Sequence, residues 1–131
     1  MSHNAWEEIE LELTENRSPE GMIGWAAGLF EGEGCFSMRW SKTRNQNKRY
    51  PALTIVSTDR DVLEKFQEVV NMGKIYERRV KSKLGKKKIH VWQVGARDQV
   101  FGVCKMLWPY LSDRRRKSIQ DGLSECKVRF V

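Results

Sequence analysis

Ala26-Ala27-Gly28-Leu29-Phe30-Glu31-Gly32-Glu33-Gly34 is the stretch on which the fold turns. Its small residues suit a helix that something approaches closely, and two carboxylates spaced by glycines stand where that helix ends. A helix carboxyl end carries roughly half a negative charge, so acids there are disfavoured by roughly a few tenths of a kcal/mol or more unless a cation offsets them. The chain around them is strongly basic, so acids in this position point to a bound metal ion.

Working back from the stretch, Ser18-Pro19-Glu20 has the chemistry of a helix start: a capping hydroxyl, a proline suited to the first turn, and an acid at the positive dipole end. The spacing predicts a helix over 19–31. Gly24, Ala27, Gly28 and Glu31 fall along one narrow face of it. Small residues four apart let two backbones come close. That face suits either tight packing on the protein's own sheet or a two-fold pairing of helices. The acids favour the pairing, and because the motif occurs once, the second helix is expected from another copy of the chain, in a homodimer.

Working forward, the period changes from helical to alternating at Cys35. Phe36, Met38 and Trp40 read as buried, and Ser37, Arg39 and Ser41 as polar. A basic loop leads to a second strand at about 51–57. Thr58 or Asp59 caps a helix bearing Val62, Leu63, Phe66, Val69 and Val70, which Gly73 ends. A second hairpin runs from Lys74 to Val80, turns at Lys83-Leu84-Gly85-Lys86 and returns over Lys88 to Val94. A helix from about 97 to 108 stops at Pro109, and Ser112 or Asp113 caps a last helix through Cys126.

Composition bounds the possibilities. A chain of 131 residues suits one domain. It reads as an acidic arm or short helix over 1–17, followed by a domain over 18–131. The formal charge is +7, and six of the 17 acids lie in the first 20 residues, which leaves 23 bases against 11 acids beyond them. That imbalance points to a polyanionic partner. Cys35, Cys104 and Cys126 lack paired spacing, which argues against a disulfide framework or a zinc site and for a reducing interior. No apolar run approaches the roughly 18–20 residues of a membrane span. An intracellular setting that holds this polyanionic partner is expected, whether bacterial, phage-infected or organellar, with no membrane partner. His3 and His90 suggest no catalytic pair.

The quoted stretch, followed by helix and strands in the order αββαββαα, resembles the LAGLIDADG homing endonucleases, DNA-cutting enzymes mostly encoded in introns and inteins. Ala26 stands at the first leucine of that motif, and Glu31 and Glu33 stand at its two aspartates. The resemblance covers about residues 19–120. It implies an α+β fold: a single domain whose twisted antiparallel sheet forms a DNA-binding saddle. It also implies that Glu33, with Gly32 beside it, holds Mg²⁺, or Mn²⁺ or Ca²⁺ in its place, and that Glu31 belongs to the helix end and the dimer contact. A basic residue is expected after a Pro-aromatic-Leu turn. In Pro109-Tyr110-Leu111-Ser112-Asp113-Arg114 that residue is Arg114, which can hold charge and orient water but will not give up a proton. Thr58 falls near a polar position that contacts the metal's waters, although a helix cap explains it equally well.

The resemblance further implies cutting of both strands of a long, roughly palindromic duplex across the minor groove, leaving short 3′ overhangs. Two basic hairpins on one sheet would enter a major groove. In the first, Ser37, Arg39 and Ser41 share a face, and Lys42, Arg44, Asn45, Gln46, Asn47 and Arg49 surround the tip. In the second, Gln93 and Val91 face the nucleic acid together with Arg79 and Glu77 if Tyr76 is buried; the opposite register substitutes Arg78. Lys81, Lys83, Lys86, Lys87 and Lys88 suit phosphates, as does Arg116 in the last helix. The alternatives are a non-cleaving maturase bound to intron RNA, a DNA-binding regulator on the same scaffold, and a more distant basic α+β protein that binds ribosomal RNA.

Overall fold

The computed structural model describes residues 19–40 and 49–125. The arm over 1–17, the Ser18 cap, the loop residues Ser41, Lys42, Arg44, Asn45, Gln46 and Asn47, and Cys126 lie outside the described residues. The elements are α1 (Pro19–Glu33), β1 (Gly34–Trp40), β2 (Arg49–Ser57), α2 (Arg60–Val70), β3 (Lys74–Ser82), β4 (Gly85–Val94), α3 (Arg97–Leu107), a 3-10 turn (Trp108–Tyr110) and α4 (Asp113–Ser124). This is the expected α+β order.

Two hairpins join through their second strands into one antiparallel sheet of order β1-β2-β4-β3. The helices pack on one face, where Leu53, Ile55, Trp92 and Val94 meet Phe30, Leu63, Phe66, Val103, Leu107 and Ile119. Trp92 anchors this core. Its ring meets Phe66 edge-on at 4.7 Å, and its indole N–H donates to the Met72 carbonyl at 2.9 Å, so the large side chain is buried with its polar atom satisfied.

Local chemistry sets the element ends. The chain turns directly from α1 into β1 at Gly34, where any side chain would strike the Phe30 ring and carbonyl. Ser57 Oγ accepts the Asp59 N–H at 3.0 Å ahead of α2, whose N-cap is Asp59 without a side-chain capping bond. Asn71, rather than Gly73, ends α2, in the left-handed conformation (φ 55°) with its N–H donating to Gln67 O at 2.7 Å. Gly73 follows at φ 95° against the Trp92 indole. Ser112 caps α4, its Oγ accepting the Arg115 N–H at 3.2 Å.

Two expectations, for Trp40 and Val91, need correcting, and the register left open in the second hairpin is decided. Trp40 is 63% exposed. α4 covers β1 at Phe36 and Met38, which lie against Gly122, while Trp40, beyond them, has the Arg49 guanidinium 5.7 Å from its ring centroid. Tyr76 is not buried: it pairs with Val91 on the sheet face away from the helices and is 40% exposed. That register gives the outer face to Arg78 and Gln93, and turns Glu77 and Arg79 to the side of Trp92. Val91 does face outward but is only 2% exposed, flanked by Val56 and Tyr76. The buried Cys104, its thiol pushed up to about 12 by burial, and the exposed Cys35 are both free.

Candidate functional site

The end of α1 is fastened to the start of α4. Glu31 Oε1 accepts the Ser112 backbone N–H at 2.5 Å. Arg115 Nε lies 3.3 Å from Glu31 Oε2, and Arg115 Nη2 donates to the Glu31 carbonyl at 2.9 Å. The guanidinium also lies 5.3 Å from the Phe30 ring centroid. These contacts resolve the electrostatic misfit of an acid at a carboxyl end. The Glu31 carboxylate sits at the amino end of another helix, where the dipole favours it, and a cation completes the set. The Ser112 hydrogen bonds first, and Arg115 after them, hold its carboxyl below the usual range against a smaller opposing cost of burial.

Arg115 was not singled out in the sequence. Its signal is the i, i+4, i+8 row Arg115, Ile119, Leu123, whose last two members are fully buried and set the inward face of α4. Arg114 lies off that row. It is exposed, and makes no hydrogen bond or ion pair among the described residues. Arg116, expected on nucleic acid, instead donates to the carbonyls of Trp108 and Pro109, each at 3.0 Å, and so satisfies the end of the 3-10 turn.

Glu33, two residues beyond Glu31, is exposed and without a partner among the described residues. Glu33 lies two residues from Glu31 in α1, and Arg114 one residue from Arg115 in α4, so both are close in sequence to the Glu31–Ser112–Arg115 fastening. Thr58 is exposed just after β2, at the sheet end where Gly34 pairs with Ile55. The described residues hold no cluster of three or more His, Cys, Asp or Glu. At the end of α1, Glu33 offers a hard cation a carboxylate without a partner among the described residues, next to the Gly32 carbonyl. This oxygen chemistry is of the kind Mg²⁺ takes.

The expected pairing face on α1 also shifts. Ala27 is fully buried in the protein's own core, Glu31 is engaged with α4, and Gly24 faces the Tyr110 ring at 4.0 Å. Only Gly28 of the four looks outward. The open stripe runs instead through Gly28 and Gly32, with nothing within 4 Å of a Cβ added at either. Trp25 borders it, with Lys65 Nζ 4.4 Å from its ring centroid.

On the outer face of the sheet, alternation and register align Cys35, Ser37 and Arg39 of β1 with Thr54, Ala52 and Tyr50 of β2, and continue through Gln93 to Tyr76 and Arg78. Arg39 Nε leans on Ser37 Oγ at 3.4 Å. Arg49, grouped with these in the sequence, pairs with Trp40 on the helix side and binds Glu125 at 3.1 Å. Arg79, Lys81, Lys86 and Lys88 share that side, because each pairs across the hairpin with a residue in register with Trp92. Lys88 Nζ lies 2.8 Å from Glu77 and holds its carboxyl below the usual range.

The LAGLIDADG endonuclease family profile matches residues 26–92, from the motif to the core tryptophan. With that match over half of its length, the chain belongs to the LAGLIDADG endonuclease family. No curated protein sequence matches it. Among solved structures it is similar to the homing endonuclease I-CvuI in complex with the I-CreI target in the presence of Mg, with a TM-score of 0.67 at 18% identity over 83% of this chain and 68% of that one. It is also similar to the archaeal intron-encoded homing endonuclease I-Vdi141I complexed with DNA, at 0.58 and 23% over 71% of this chain and 57% of that one. The group I intron-encoded I-CeuI complexed with DNA is similar at 0.62 and 18%, over 79% of this chain and 52% of that one. These likenesses are of fold. No helix among the described residues is long and apolar enough to cross a membrane.

Proposed function

We propose that two copies of this chain pair along the open glycine stripe of α1 and cut both strands of a long, roughly palindromic DNA duplex in a reaction that requires Mg²⁺. The observation that carries this reading is the division of labour between two neighbouring acids. Glu31 is consumed in holding the fold together, whereas Glu33 stands without a partner among the described residues at the end of the same helix, beside the stripe. A two-fold axis through Gly28 and Gly32 would bring Glu33 and its counterpart from the second copy to one locus.

When bound, a divalent cation supplies charge stabilisation to the attacking and leaving oxygens of a phosphodiester. Glu33 is the group on this chain that would hold it, with the Gly32 carbonyl next to it. Gly32 lacks a side chain and leaves room for a phosphate backbone to approach. Arg114, whose planar guanidinium suits phosphate oxygens, would orient phosphate and water. Thr58, at the same end of the sheet, can donate to a water of the site. Ser37, Arg39, Arg78 and Gln93 on the outer face suit base edges, and Lys74 and Lys87 on that face suit phosphates.

Glu33→Gln tests the assignment. It keeps the size of the side chain and removes its charge, so duplex binding should persist while Mg²⁺-dependent cleavage falls by roughly a hundredfold or more, the scale seen when one key electrostatic group of an active site is removed. Cleavage at the normal rate by this variant would rule Glu33 out as the metal-holding group.

A further inference from the structure

On the outer face of the sheet, Tyr76 Oη donates a hydrogen bond to Gln93 Oε1 at 2.9 Å. The two are diagonal neighbours. Gln93 pairs with Lys74 of β3 and Thr54 of β2, and Tyr76 stands two residues further along β3, opposite Val91. Together they wall an open groove of about 570 Å³ that continues past Lys74, Gly73 and Gly95 to Gln99 of α3. The two glycines leave it clear, and Lys74 makes it positive.

A free glutamine amide presents an acceptor and a donor side by side, and so reads adenine N6 and N7 as a bidentate pair. Here the carbonyl oxygen is turned along the sheet to the phenol, which occupies one of its two lone pairs. The amino group, with its two N–H donors, is left to point outward. Outward donors match guanine, whose N7 and O6 both accept, and are mismatched with cytosine, whose N4 amino group donates.

We infer that Tyr76 is a positioning residue that turns the Gln93 amino group outward and so sets a guanine preference at one base position in each half of the target. The inference rests on the DNA-cutting function proposed above. Its test is a selection of bound duplexes from a randomised library, using the full chain with Ca²⁺ in the buffer, and sequencing of the retained fraction for the wild type, Tyr76→Phe and Gln93→Glu.

The wild type should enrich guanine at that position. Tyr76→Phe, by releasing the amide, should turn the preference toward adenine by about tenfold, the scale of one bidentate base contact. Gln93→Glu, which can only accept, should turn it toward cytosine. All other positions should keep their preferences. If the wild type enriches a motif that Tyr76→Phe leaves unchanged or weakens evenly at every position, Tyr76 does not orient the reader, and the inference falls while the DNA function stands. A Gln93→Glu motif identical to the wild type's would remove Gln93 from base contact. If the wild type enriches no duplex, the DNA function falls and takes the inference with it.

Discussion

Glu31 and Glu33 differ in fate because residues two apart on an α-helix project about 200° from one another. Glu31 projects toward α4, and Glu33 away from it. The energetic role of Glu31 has a definite pH signature. Its folded pKa lies below its unfolded one, so the ionised carboxylate stabilises the fold throughout neutral pH. That contribution fades as pH drops below the ordinary glutamate range and is gone once pH passes the lowered value. Glu31→Ala removes hydrogen bonds to a charged group and should cost about 2 kcal/mol at pH 7. Urea midpoints of the two proteins at pH 7 and pH 3 measure this, and the gap between them should narrow at the lower pH. A gap of constant size would mean that the carboxylate charge is not its source.

Among the elements, the hairpin ends carry the sharpest constraint. Gly73 sits between α2 and β3 at φ 95°, and a side chain there would strike the indole of Trp92. Gly73→Ala should therefore lower stability by more than about 1 kcal/mol, through backbone strain and displacement of the core tryptophan together. Trp92 fluorescence followed through denaturant unfolding would report both, and an unshifted midpoint would show that the turn relaxes freely. Periodicity made the elements themselves readable: the alternation from Phe36 to Met38, the helical row Leu63, Phe66 and Val70, and the caps at Ser112 and near Gly73 each encode local geometry. The face of the second hairpin was not readable, because Tyr76 has an apolar ring and a polar tip and suits either side. Once Tyr76 is turned outward, Arg78 and Arg79 exchange roles. The fastening of Glu31 by Arg115 was equally hidden, since three arginines in succession look alike until the packing of Ile119 selects one of them.

For the molecule as a whole, the glycine stripe makes a test that separates folding from assembly. Nothing lies within 4 Å of a side chain added at Gly28, so Gly28→Leu should leave a single copy folded, and the change from glycine should even favour its helix by roughly 1 kcal/mol. In a two-fold pair the same leucine would hold the backbones apart. Sedimentation should find the variant as a monomer with unchanged circular dichroism and no cleavage activity. A Gly28→Leu protein that still cut DNA as a dimer would mean that the copies pair by another surface. The contacts of Glu31 with Ser112 and Arg115 span 81 and 84 residues of chain. On a ribosome, the motif helix emerges long before the segment that anchors it, and its carboxyl end has no fastening until α4 follows. A chain carried only as far as β4 should therefore hold its motif helix without that fastening, and gain it once α4 has been made.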